Sequence, residues 1–87
     1  MELLFILKRC RAWCRTSQDA PWSSLGVAEI IAILDRAITS LEREEDPDRD
    51  ELRLLFAPTG PLQDTSIHNG WSEEYLQLAA AFDGLIR

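Results

Sequence analysis

The residues best equipped for chemistry are few and scattered. His68 is the only histidine in the chain, and Asp64 stands four positions before it. A carboxylate beside an imidazole orients the ring and raises its pKa, the pairing a general acid–base site needs. Both lie in "PTGPLQDTSIHNGW", residues 58–71, with Thr65, Ser66 and Asn69 alongside and Trp71 at the end. Neighbouring positions do not by themselves supply geometry, and no nucleophile with an oxyanion hole is legible around the pair. Cys10 and Cys14 form a second constellation, about one helical turn apart. Together with His68 they offer fewer ligands than a structural zinc site takes, and the compact Cys/His spacing of such sites is missing. A metal or redox site around His68 and the cysteines is therefore the weakest reading, and neither a catalytic centre nor a cofactor is expected. Free cysteines are commonly buried hydrophobes, which accounts for both thiols, and a disulfide within one turn would be strained.

The charge pattern points toward binding. A formal net charge of −6 argues against nucleic acid, whose phosphates require Lys and Arg to displace their counterions. Residues 1–15 carry Lys8, Arg9, Arg11 and Arg15 against Glu2, whereas "EREEDPDRDE", residues 42–51, carries seven acids against Arg43 and Arg49. Such asymmetry serves either a partner or opposed faces of one fold. The apolar "LLFIL" near the start precedes the basic cluster, the reverse of a signal peptide, and is far short of the roughly 20 residues a spanning helix needs. Four basic residues without a lipid anchor give no stable membrane anchoring. A reducing, cytoplasmic setting is expected, because two cysteines are too few for a secreted disulfide scaffold and no targeting signal is visible.

Stepping from these residues to the elements that carry them, apolar periodicity predicts helices near 2–15, 24–45, 47–57 and 72–84. Leu3, Ile6, Leu7 and Cys10 stripe the first, and Val27, Ile31, Leu34, Ile38 and Leu41 the second. Leu52, Leu55 and Phe56 stripe the third, and Tyr75, Leu78, Ala79 and Phe82 the last. Ser23 or Ser24, Asp46 and Ser72 are the expected N-caps, with Pro47 in the first turn of the third helix. Trp71 is placed to staple onto Leu76, and Gly84 to end the last helix. Residues 58–71 are expected to be an irregular connector with one turn through Pro61–Asp64, pinned by Leu62 and Ile67 and reversed at Asn69-Gly70.

The expected fold is thus all-α: a small single-domain bundle of about four helices spanning 1–87. Residues 22–87 form its core, and 1–20 are an amphipathic helix appended to it, expected to pack on the bundle or on the acidic face around residues 42–51 and not on a membrane surface. The expected function is a small acidic protein–protein interaction module, an adaptor, inhibitor or immunity-type protein, meeting another and preferably basic protein. Its contact residues would be Asp64, His68 and Trp71, with Glu44, Asp46 and Asp48 steering the encounter. The alternative is a homo-oligomeric structural or regulatory subunit that buries surplus apolar surface, including Ile33, against its own copies. Asp46→Ala should cost about 1 kcal/mol through lost capping whichever reading holds.

Overall fold

The computed structural model describes residues 2–86, which form five α-helices and no strand. They are α1 (Leu3–Arg15), α2 (Val27–Glu42), α3 (Arg49–Phe56), α4 (Pro61–Asn69) and α5 (Ser72–Leu85). α1 packs chiefly on α2 and also on α5. α3 bridges α2 and α4, and α4 leans on α5.

The predicted stripes largely close the core, but on α2 the buried residues are Ile30, Leu34, Ala37 and Ile38, while Val27, Ile31 and Leu41 are only partly buried. Ile6, Leu7, Cys10 and Cys14 of α1 are completely buried, facing a shared interior with Ile30, Leu34 and Ile38 of α2. Leu52, Leu55 and Phe56 enter from α3, and Tyr75, Leu78 and Phe82 from α5. The first helix is therefore an integral wall of the bundle and not an appendage to residues 22–87. Removing it would expose the side of the core residues that it covers, a large loss for a domain with so thin a stability margin.

Residues 58–71 are not irregular. Pro61 occupies the first turn of α4, where its missing N–H leaves no bond unmade, and the helix runs to Asn69. Gly70, at φ 82°, closes it in the left-handed conformation. Gly60 turns the chain from α3 into α4, where a β-carbon would lie 2.8 Å from the Ala57 carbonyl oxygen. Leu62 is an anchor as expected, but Ile67 is 52% exposed; the buried positions are Pro61, Leu62, Thr65 and Ser66.

Helix ends differ from the expected ones for identifiable reasons. α2 starts at Val27 because Asp19, eight residues upstream, accepts the Val27 N–H at 2.7 Å, while the Ser23 hydroxyl donates to the Leu25 carbonyl. α3 is capped by Asp48, whose Oδ1 accepts the N–H groups of Asp50 and Glu51, both at 3.1 Å. Asp46 pairs with Arg49 instead, and Pro47 is a buried residue ahead of the helix. α5 begins at Ser72 with Trp71 in the cap position, and it runs through Gly84 to Leu85. Leu76 is 57% exposed, so the staple does not form.

α2 ends in a Schellman motif: the Glu45 N–H reaches the Ser40 carbonyl at 2.8 Å and the Glu44 N–H reaches Leu41 at 3.1 Å. Glu44 takes the left-handed position at φ 58°, which costs a non-glycine residue roughly 1 kcal/mol. Capping energetics should follow the observed geometry. Asp48→Ala should lower stability by about 1 kcal/mol in urea denaturation. Asp46→Ala, which loses only an exposed ion pair, should stay within about 0.5 kcal/mol of wild type. The reverse order would move the cap back to Asp46.

Candidate partner-binding surfaces

Trp71 sits in the interior, where no partner reaches it. It is 2% exposed, and its ring stacks on Trp13 with centroids 5.6 Å apart and planes 5° apart. It also meets Tyr75 edge-on at 6.1 Å, and its indole N–H donates to the Ser17 hydroxyl at 3.0 Å. The Trp13 indole N–H donates to Glu74 at 3.0 Å. Arg9 closes the group, donating to the other Glu74 oxygen at 2.9 Å while its guanidinium lies 5.3 Å from the Trp13 ring centroid. The Arg9 hydrogen bond holds the Glu74 carboxyl below its ordinary value, outweighing the opposing effect of burial. Glu74 in turn raises the Arg9 pKa. These contacts bind α1 to the start of α5.

Asp64 and His68, four apart on α4, share an outward side. No ion pair joins them among the described residues, so the acid–base pairing is not assembled. The His68 ring instead meets Trp22, edge-on at 5.3 Å and 82°. Trp22 lies on the α1–α2 connection and is 56% exposed. That connection is pinned at two points. Asn69 exchanges a pair of hydrogen bonds with the Gln18 backbone, at 2.8 and 2.9 Å, and Asp19 holds the start of α2. Trp22 follows Pro21 in a break between helices and belongs to no apolar stripe. That isolation of a large aromatic from any period is the only sequence signal that could have flagged it.

The acidic corner is largely consumed within the chain. Glu42 pairs with Lys8 at 3.3 Å and Glu51 with Arg36 at 3.0 Å. Asp50 pairs with Arg53 at 3.3 Å and Asp46 with Arg49 at 3.6 Å. Asp48 is committed to capping α3, although it, Glu44 and Asp46 are all exposed. Glu44, Glu45 and Asp48 are the acids of this run in no ion pair among the described residues, and of these Glu44 and Glu45 have no capping role. Three of the four residues of the basic cluster are spent in the same way: besides Lys8 and Arg9, Arg11 reaches Asp35 at 2.8 Å, while Arg15 is in no ion pair among the described residues. Part of the charge asymmetry is thus met across facing helices, by Lys8–Glu42, Arg11–Asp35 and Arg36–Glu51, and part by local pairs three residues apart, Asp46–Arg49 and Asp50–Arg53.

The cysteines are free and buried. Burial pushes the Cys14 thiol up to about 12, and raises Cys10 further, where the Cys14 and Glu74 charges add to the effect. Neither is poised as a nucleophile or ligand. His68 on the outward side of α4 is not gathered with them, and no group of three or more His, Cys, Asp or Glu among the described residues is arranged to hold a metal. No family model, curated protein or solved structure matches the chain.

The Glu74 contacts give a pH signature. A carboxyl with a lowered folded pKa stabilises fully above its unfolded value, ordinarily 4.5, and loses that contribution as pH falls through the folded value. Wild type should therefore melt above Glu74→Gln at about pH 7, and the gap should narrow steadily in acid. A gap that is unchanged down to about pH 2 would mean the carboxylate form is not what the site selects.

Proposed function

We propose that the chain is a small acidic protein-binding module without catalytic activity, and that Trp22 and His68, bordered by Asp64, form its contact face. One observation carries the reading: a tryptophan more than half exposed on a connection that is held at both sides. Leaving apolar area in water forfeits about 25 cal/mol for each Å², a loss that a partner covering the ring recovers. Tryptophan is also enriched among the residues that dominate interface energetics. Because hydrogen bonds already order the connection, little conformational freedom is left to lose on binding.

The partner in this reading is a protein, and a basic one by charge. The net charge of −6 steers a cationic surface and repels nucleic acid and anionic membranes. Glu44 and Glu45, free of ion pairs among the described residues, supply long-range attraction more than contact. No helix of the described residues is long and apolar enough to cross a membrane. Two unoxidised, buried thiols suit a reducing compartment such as the cytoplasm. An adaptor, an inhibitor or an immunity-type protein would each fit this description.

Affinity capture with wild type, Trp22→Ala and His68→Ala as bait, at low and moderate salt, tests it. A stoichiometric partner should be retained by wild type and lost by Trp22→Ala, a substitution expected to cost about 2 kcal/mol of binding. His68→Ala should weaken retention, and salt should weaken it further. Both variants should keep wild-type helix content, since both side chains are exposed. Capture indifferent to either substitution contradicts the assignment. Capture of the protein's own copies alone transfers the case to a self-assembling subunit.

A further inference from the structure

A second surface uses other residues. Two depressions, of about 410 and 280 Å³, share Phe56, Pro58 and Asp83, and so continue into one another as a groove between the α3–α4 corner and α5. Its floor is aromatic: Phe56 stacks on Phe82 at 4.0 Å and on Tyr75 at 6.1 Å. Its α5 wall is apolar, with Leu76 57% exposed and Ala79 and Ala80 beyond it. These alanines are small enough for another backbone to approach closely. From Leu76 to Ile86 the wall rises about 15 Å, the length of roughly three helical turns.

The groove also has a definite charge. Asp83 lines both depressions, is exposed, and makes no ion pair among the described residues. The basic residue on the wall, Arg53, is already engaged by Asp50 at 3.3 Å and by the Ile86 carbonyl at 3.4 Å. What the groove lacks is therefore a cation beside an apolar stripe.

We propose that this groove docks an amphipathic helix of a partner protein, one with apolar residues at i, i+3 or i+4, and i+7 and a Lys or Arg placed to reach Asp83. A helical wall of this length matches a helix laid alongside it, and the described residues offer no sheet edge for an extended strand to join. A second copy of the chain is the poorer occupant: each copy carries −6, and the groove has no uncommitted cation for a second Asp83. The groove shares no residue with the Trp22 face, so the two assignments stand or fall separately.

The test is a displayed library of helix-forming peptides with randomised outward positions, panned on the wild-type protein with soluble Ala80→Arg as competitor. The peptides retained should carry the apolar stripe and be enriched in Lys or Arg at one position. Their affinity should fall about tenfold on Asp83→Asn, as for a lost charge-assisted hydrogen bond. Ala80→Arg and Leu76→Glu should abolish binding, and Trp22→Ala should leave it within about twofold. All four positions are exposed, so circular dichroism should show wild-type helix content. Retention of no peptides overturns the proposal, as does equal binding by Ala80→Arg or indifference to Asp83→Asn. A wild-type dimer in sedimentation that Ala80→Arg dissolves would also overturn it, since the occupant would then be a second copy.

Discussion

The stacked pair Trp13–Trp71, with Arg9 and Glu74 closing around it, is the constraint on which the rest of the architecture depends. It joins the first helix to the turn between the last two, elements about sixty positions apart in the chain. Both indole N–H groups have acceptors, Glu74 for Trp13 and Ser17 for Trp71, so a partly buried and a buried ring pack together without an orphaned donor. The end of α4 is fixed by the same neighbourhood, through the paired hydrogen bonds of Asn69 to Gln18. That contact in turn places the α1–α2 connection, and with it Trp22, against His68. The exposed aromatic face is thus a consequence of the buried one.

Charge plays a different part from the one its distribution first suggests. Two basic residues of α1, Lys8 and Arg11, meet Glu42 and Asp35 of α2, and Arg36 of α2 meets Glu51 of α3. Exposed pairs of this kind each contribute at most about 1 kcal/mol, so they align helices more than they hold them. Hydrophobic burial of the four stripes supplies the cohesion. What survives for a partner is the net negative field and a few carboxylates outside the pairs, Asp83 in the α5 groove among them.

Four of the five helices were legible because their apolar period coincides with the face that is buried. α4 was not, because its period is inverted. Its core face contains Thr65 and Ser66, while Ile67 points outward. Only Pro61 at its start and Gly70 after its end marked it, and those imply a turn as readily as a helix. Cap positions slipped where a distant residue did the capping: Asp19 displaced Ser23 and Ser24 at α2. At α3 two aspartates stood two positions apart, and only the backbone geometry chose Asp48. Of the candidate contact residues, His68 and Asp64 do share an outward side. Trp71 is neither a staple nor a contact residue but the buried partner of Trp13, a pairing that local capping patterns do not encode. Trp22 and the α5 groove depend wholly on tertiary placement.

A double-mutant cycle between Trp13 and Trp71 tests the central claim most directly. Trp13→Leu, Trp71→Leu and the double variant, compared with wild type by urea denaturation, report the coupling of the two rings beyond their separate burial. Leucine keeps enough apolar volume for the bundle to close in each. A favourable coupling of about 1 kcal/mol is predicted from the stacked geometry. Losses that simply add, within about 0.3 kcal/mol, would show that the rings are independent and that something else docks α1 on the α4–α5 turn.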